Sequence, residues 1–503
     1  MGSPRCLAPP PPPGSPPAGS KRSFAARCGV LACGWIAVPV LLAAQDDQSR
    51  IARHARAAQQ AQREGDFATA IREFTILSRL LPDVADVHSN LGVAYYFHKR
   101  PREALAAFDK ALQLKPDLVS ALIFSGIANY DLSDPAQAIG LLERAVKLSP
   151  SDRLARTWLA HSYAAHSRPR EAVDHFLMAS QHWPEDVDLW YGLGHAYLQL
   201  GRQEIARLTE VAPDGARVLQ LAGDLWLLRG EPGNALALYQ EALKRRPGLI
   251  EVQRVVERLL DPQMTGREMD ASPRPPVSSD PPSPEDVHYR AATESRERAQ
   301  RAFEQIAARG ANSHRAHQVL AESLEAQERV DEALAEYRTV LSLKPDLAGI
   351  RLAIGNLLMS EGRAAEALEE YRAELLRRPD DAQVHHRIGR ALIVLGEPKD
   401  AEASFNRALA LKGTPLGVHR DLGRIYLSRN QPARAVQALS TYLKSTTNDA
   451  SAHYLLMRAY RALGNAAAAE RHLTEYRRLS DPGKRQASIQ QALSLFGRSD
   501  KPR

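Results

Sequence analysis

Residues 83–116 read DVADVHSNLGVAYYFHKRPREALAAFDKALQLKP, and this stretch decides the fold. Gly92 is followed three positions later by an aromatic residue, and an alanine is followed four positions later by Phe108. Each of these patterns is typical of a helix that packs closely against a neighbour. Pro116 then ends the second helix, because proline cannot continue a helix and restricts the residue before it. The stretch therefore predicts a pair of packed helices.

This helix pair recurs along the chain with a period of 34 residues. The prolines and the glycine that end successive periods are Pro82, Pro116, Pro150, Pro184, Pro345, Pro379 and Gly413. One period cannot bury its own apolar face, so neighbouring periods must stack. About eleven such periods are predicted.

The chain resembles the tetratricopeptide repeat family over roughly residues 50–480. The residues that carry the resemblance include Leu91, Gly92, Tyr95, Ala104, Phe108, Ala111 and Pro116, then Leu159, Ala160, Tyr163, Ala172, Phe176 and Pro184, then Ile354, Gly355, Ala367, Tyr371 and Pro379, and Leu422, Gly423, Tyr426 and Ala435. The resemblance implies an all-α helical solenoid that binds segments of other proteins in a concave groove.

The repeat pattern is interrupted twice. Between Trp190 and Pro213 the period loses five residues, which predicts a short second helix. Residues 261–287 are rich in Pro, Ser and Asp and predict a flexible linker. We therefore expect a first array at residues 50–260 and a second at residues 288–480, and the alternative is a loop inside one continuous solenoid.

The carboxyl end, residues 481–503, is predicted to form a capping helix and a tail. Ile489, Leu493 and Phe496 fall on one helical face there and could cover the last repeat.

The amino terminus has the pattern of an export signal. Residues 1–20 are rich in proline and are predicted to be disordered. In residues 21–45 a basic segment precedes an uncharged apolar stretch, which predicts a signal peptide or a signal anchor. We expect an exported protein, periplasmic or associated with the cell envelope, and the alternative is an inner-membrane anchor.

Composition argues against several classes of function. The net charge of +7 comes from 66 basic and 59 acidic residues spread over 503 residues, so nucleic acid is not predicted as a partner. All cysteines (Cys6, Cys28 and Cys33) precede the repeats, and the histidines lack metal-ligand spacing, so no metal site is predicted. No phosphate-binding loop or catalytic motif occurs, and neither a cofactor nor enzymatic activity is predicted.

The resemblance also implies which side chains line the groove, because two positions of each first helix point inward in this family. In the first array the matching residues are Ser89, Val93, Ile123, Ile127, Thr157, His161, Tyr191 and His195, which are mainly apolar and aromatic. In the second array they are Leu352, Asn356, His386, Arg390, Arg420, Arg424, Tyr454 and Arg458.

The arginines of the second set suggest a preference for acidic segments, because guanidinium groups bind carboxylates through paired, charge-assisted hydrogen bonds. They resemble the carboxylate clamps of chaperone-binding tetratricopeptide domains, although those use lysine and a further asparagine. A solvated basic face is the alternative. The function predicted is a non-enzymatic scaffold for partner proteins, and the alternatives are a periplasmic chaperone or assembly factor and an accessory subunit of an envelope polysaccharide-synthesis complex.

Overall fold

The computed structural model describes residues 45–260, 282–411, 413–415, 417–480 and 484–497, and every regular element within these ranges is a helix. The chain divides into two compact units, Met1–Ala128 and Asn129–Arg503. The predicted all-α fold is confirmed.

The helices that begin in the first unit are α1 (Gln45–Glu64), α2 (Phe67–Leu80), α3 (Ala85–Phe97), α4 (Pro101–Leu114) and α5 (Val119–Asp131). Those of the second unit before residue 261 are α6 (Pro135–Leu148), α7 (Arg153–Ala165), α8 (Pro169–His182), α9 (Val187–Val211), α10 (Ala216–Leu228), α11 (Pro232–Arg245) and α12 (Ile250–Leu260). Those after it are α13 (Pro284–Gly310), α14 (His314–Ala326), α15 (Val330–Leu343), α16 (Ile350–Ser360), α17 (Ala364–Leu375), α18 (Ala382–Val394), α19 (Pro398–Leu409), α20 (Gly417–Ser428), α21 (Pro432–Leu443), α22 (Ala450–Ala462), α23 (Ala466–Ser480) and α24 (Lys484–Ser494).

A residue with positive φ lies in the turn between the two helices of most repeats. These residues are Gly65, Lys99, Ser133, Ser167, Gly230, Glu328, Gly362, Gly396, Asn430 and Gly464. A left-handed residue ends the first helix by reversing the chain direction, so the second helix can fold back on the first. Their regular spacing confirms the predicted period.

In several helix pairs an aromatic ring packs against a glycine. The ring of Phe108 lies against Gly92, and that of Phe405 lies against Gly389. A Cβ atom at either glycine would overlap the ring, so glycine is required for this close approach.

Helix α9 departs from the repeat pattern. The next turn after Ser167 would fall at Gly201, but α9 continues through Gly201 to Val211. In the preceding repeat Pro169 starts the second helix two residues after the turn, whereas Gln203 occupies that place here. The short second helix predicted between Trp190 and Pro213 is therefore wrong.

Helix α13 supplies the second helix that this repeat lacks. The ring of Phe303 lies against Gly194, which is the contact that Phe108 makes with Gly92. Ala299 and Ala302 of α13 share a core with Leu193 of α9. One repeat is thus built from two segments that residues 212–283 separate in sequence, and helices of both predicted arrays form a common core.

This core contains helices from both sides of the predicted linker, so the packing of α9 on α13 crosses the predicted boundary between the two arrays. The helix α13 begins at Pro284, so residues 284–287 of the predicted linker are helical. Residues 261–281 of that prediction lie outside the described residues.

The predicted carboxyl-terminal cap packs elsewhere than expected. Ile489, Leu493 and Phe496 do share one packed face, but they join the core formed by α10, α11, α12 and α13. The indole nitrogen of Trp226 also donates a hydrogen bond to the carbonyl of Ser488 at 3.3 Å. The helix α24 thus covers α10 and not the last repeat.

The predicted disordered segment (residues 1–20) and nearly all of the predicted signal segment (residues 21–45) lie outside the described residues. Among the helices that the structure does describe, none is long and apolar enough to cross a membrane.

Candidate functional site

A buried carboxylate, that of Asp421, lies at the centre of the predicted arginine cluster. Its side chain is only 2 % exposed and comes from α20. The ring nitrogen Nε2 of His386, on α18, lies 2.9 Å from Asp421 Oδ2. His386 itself is buried, so it supports this carboxylate and does not face solvent.

Three of the predicted arginines converge on Asp421. Arg390 Nε, Arg420 Nε and Arg424 Nη2 lie 3.9, 3.8 and 3.9 Å from its oxygen atoms. These distances are too long for hydrogen bonds but short enough for charge attraction. Arg390 and Arg424 remain 46 % and 51 % exposed, so their guanidinium groups can bind a ligand.

Arg420 is held more firmly than the other two arginines. Its Nη1 donates to Asp449 Oδ2 at 3.1 Å, and its guanidinium lies over the ring of Tyr442. The hydroxyl of Tyr442 donates to the same Asp449 oxygen at 2.7 Å. This arginine therefore joins α20 to its neighbours as well as contributing charge.

The surrounding charges keep Asp421 ionised. Burial alone would raise the pKa of this carboxyl group, but the hydrogen bond with His386 and the positive charges of Arg420 and Arg390 outweigh it and lower the pKa. The ionised carboxylate holds the guanidinium groups close together against their mutual repulsion.

The remaining residues predicted for this groove lie on the neighbouring first helices. Tyr454 and Arg458 are exposed on α22, and the ring of Tyr454 lies 5.3 Å from that of Tyr476. Asn356, on α16, accepts a hydrogen bond from the hydroxyl of Tyr371 at 3.0 Å. Asn356 is therefore already engaged within its own repeat.

Tyr191 and His195 make polar contacts with α14, which belongs to the predicted second array. The hydroxyl of Tyr191 donates to Glu322 Oε1 at 2.6 Å and accepts from Gln318 Nε2 at 2.6 Å. His195 Nε2 lies 3.3 Å from Glu322 Oε2. Burial and the charge of Glu322 raise the pKa of Tyr191, so its hydroxyl stays protonated as a donor.

The sequence pattern does not predict three further polar residues of this region, which are Gln318, Glu322 and Asp421. Gln318 and Glu322 precede the predicted groove residues Leu352 and Asn356 by one period of 34 residues, so the repeat register could have found both. No such signal marks Asp421, because an aspartate beside a groove position does not by itself indicate burial.

Ile123 and Ile127 do not form an accessible apolar groove, and this part of the prediction needs correction. Their side chains are only 4 % and 2 % exposed. Burial of aliphatic side chains is favourable, so an apolar residue at a groove position tends to be covered.

Within the described parts of the chain, no three His, Cys, Asp or Glu side chains are grouped so that they could hold a metal ion.

Several solved structures are similar to the chain. A chain of the anaphase-promoting complex hetero-tetramer Cut9–Hcn1 is 16 % identical, with a TM-score of 0.34 over 88 % of this chain and 97 % of that one. The pilF protein of Pseudomonas aeruginosa is 18 % identical, with a TM-score of 0.34 over 39 % of this chain and 89 % of that one. YrrB, described as a TPR protein with an unusual peptide-binding site, is 18 % identical, with a TM-score of 0.30 over 38 % and 98 %. At such identities these likenesses concern the fold alone.

No curated protein matches the chain in sequence. Three family models do match it, and each is described as a tetratricopeptide repeat. The matched residues are 85–118 for the first model, 125–181, 159–207, 202–250, 287–348 and 352–414 for the second, and 392–456 for the third. Together these ranges include more than half of the chain. With the helix pairs and turns described above, they show that the chain belongs to the tetratricopeptide repeat family and forms a scaffold for protein interaction.

Proposed function

We propose that this protein is a non-enzymatic scaffold that binds an acidic peptide segment of a partner protein at Arg390, Arg420 and Arg424. The convergence of three guanidinium groups on one buried carboxylate is the observation that carries the proposal. Guanidinium groups bind carboxylates through paired hydrogen bonds, and a cluster of them favours a segment that carries several acidic side chains.

The balance of charge supports an anionic ligand. Three arginine charges face two carboxylates, Asp421 and Asp449, so the cluster has an excess of positive charge. Asp421 is almost completely buried, whereas Arg390 and Arg424 are half exposed. A ligand therefore meets the guanidinium groups and not the carboxylate that positions them.

We expect the double substitution Arg390→Ala and Arg424→Ala to weaken acidic-peptide binding by about a hundredfold. A hydrogen bond to a charged group contributes about 1.5–3 kcal/mol, which is roughly tenfold or more for each arginine. Isothermal titration calorimetry with a glutamate-rich peptide measures the effect. The same peptide with glutamine in place of glutamate should bind weakly to either protein.

Arg372→Ala is the matched control for this experiment, because Arg372 is exposed on the second helix α17 and pairs with the nearby Glu369. Its loss should leave peptide affinity unchanged. Raising the salt concentration should weaken binding to the unmodified protein, since exposed charges are screened. Equal affinity of the double variant and the control would contradict the proposal.

We further propose that the protein is exported, on the basis of the basic and apolar segments in residues 21–45. Cell fractionation combined with sequencing of the mature amino terminus tests this. A periplasmic product that starts near Gln45 is expected, whereas an intact chain in the membrane would favour the anchored alternative. A cytoplasmic product would contradict export.

A further inference from the structure

The carboxyl-terminal helix α24 packs on a part of the second unit that is far away in sequence. The hydrogen bond between Trp226 and Ser488 joins residues 262 positions apart. The ring of Phe496 fills the space beside Gly201, where a Cβ atom would overlap it. Ile489 and Phe496 are only 1 % and 2 % exposed. The contact is therefore specific in shape and not a loose association.

Through this contact, both ends of the run of helices α14–α23 are attached to the same hydrophobic core. Tyr289 and Ala292 of α13 belong to the hydrophobic cluster that contains Ile489 and Phe496. The run α14–α23 starts directly after α13 and ends directly before α24. Both ends of this run are thus attached to the cluster built on α10.

The attachment at the carboxyl end rests on a small number of side chains. Ile489, Ala492, Leu495 and Phe496 are the residues of this segment that are buried. Their burial must offset the conformational entropy lost when residues 484–497 become ordered. Short terminal segments of this kind open without unfolding of the rest of the protein.

We propose that α24 docks reversibly on the core of α10, and we call this helix the clasp. When it is docked, the carboxyl end of the run α14–α23 is attached to the core of α10. When it is released, α22 and α23 are held only by the preceding repeats. The helix α23 ends at Ser480 and α24 begins at Lys484, so the clasp is the next helix in the chain after the last repeat.

The clasp also stabilises the proposed peptide groove. Asp449, which accepts a hydrogen bond from Arg420 of the proposed site, caps the start of α22, in the repeat that the clasp attaches. A groove that is already ordered binds its ligand with a smaller loss of entropy, so release of the clasp should weaken peptide binding and speed dissociation. This consequence rests on the proposed function, whereas the clasp itself does not.

Hydrogen exchange in the full chain tests the clasp. Phe496→Ala removes a buried aromatic ring, so the amides of α24 should exchange about a hundredfold faster, and those around Trp226 should also exchange faster. The amides of α14–α21 should be unchanged. Gln491→Ala is the matched control, because Gln491 is exposed on the same helix.

Two results would overturn the clasp. The first is equal exchange of α24 in Phe496→Ala and in the control. The second is loss of protection throughout α14–α23, which would make α24 part of one cooperative unit. Ile489→Val, a milder change, keeps the experiment informative if the larger substitution prevents folding, and it should speed exchange of α24 by roughly threefold to tenfold.

Peptide dissociation measured on the same variants separates the two proposals. If the unmodified chain does not bind a glutamate-rich peptide, the proposed function fails while the exchange data still decide the clasp. If Phe496→Ala releases α24 but leaves peptide dissociation unchanged, the link between clasp and groove is overturned.

Discussion

Arg217→Ala should lower the stability of the region formed by α10–α13 by about 3–5 kcal/mol, because it removes the guanidinium that binds the buried carboxylate of Glu251 and one of the two arginines that bind Asp286. The Arg217 guanidinium, only 4 % exposed, donates to Glu251 of α12 and to Asp286 of α13. It also lies over the ring of Tyr289 at 5.1 Å. One side chain therefore holds three helices together.

The pKa values agree with this role. Burial would lower the pKa of Arg217, but its bonds to Glu251 and Asp286 outweigh burial and raise it. Burial would likewise raise the pKa of Asp286, yet Arg246, Ser283 and Arg217 lower it. Arg217 and Asp286 are thus both charged in the folded protein, and removal of the arginine leaves Arg246 as the cation that still binds Asp286.

Hydrogen exchange over residues 216–260 and 284–295 should detect this loss more directly than a melting temperature, because repeat proteins often unfold through partly folded states. The control is Arg229→Ala at the end of α10, where Arg229 pairs with Glu328 at 3.2 Å and Glu328 is 78 % exposed. A surface pair of this kind contributes about 0–1 kcal/mol. Equal effects of the two substitutions would show that the buried network does not stabilise this region.

Phe405→Ala should destabilise the repeat formed by α18 and α19 by about 3–5 kcal/mol, the cost of removing a buried aromatic side chain and leaving a cavity. Phe405 is fully buried against Gly389. Its ring also lies 5.6 Å from that of His386, the histidine that supports Asp421. We therefore expect weaker peptide binding as well as lower stability.

Chemical denaturation monitored by circular dichroism, together with peptide titration, measures both effects. Leu376→Ala is the control, since Leu376 follows α17 and is 85 % exposed. Exposed substitutions of this kind usually change stability by about 0.5 kcal/mol or less. A Phe405→Ala protein as stable as this control would contradict the packing described for the repeat.

The sequence predicts local features of this protein well, because its repeats depend on contacts between neighbouring positions. In α3–α4 and in α18–α19 the glycine and the aromatic residue belong to the same period, so their pairing follows from the repeat. The convergence of Arg390, Arg420 and Arg424 follows for the same reason, since equivalent positions on successive first helices face one side.

Contacts between distant segments could not be predicted in this way. Phe303 has the spacing of a second repeat helix, but nothing in its neighbourhood indicates that Gly194 is its partner. Likewise the face formed by Ile489 and Phe496 predicts a packed helix without indicating that it packs on Trp226. A helical pattern shows which face of a helix is buried, but it does not show which other segment of the chain covers that face.

The repeat shared by α9 and α13 also affects the order of events during synthesis. Phe303 leaves the ribosome about a hundred residues after Gly194, which at translation rates of about 5–20 residues per second is a delay of roughly 5–20 s. Until then the side of α9 that α13 later covers has no partner, although α8 already packs on α9. This side of α9 is consequently exposed to aggregation during synthesis, and a chaperone that covered it would protect the nascent chain.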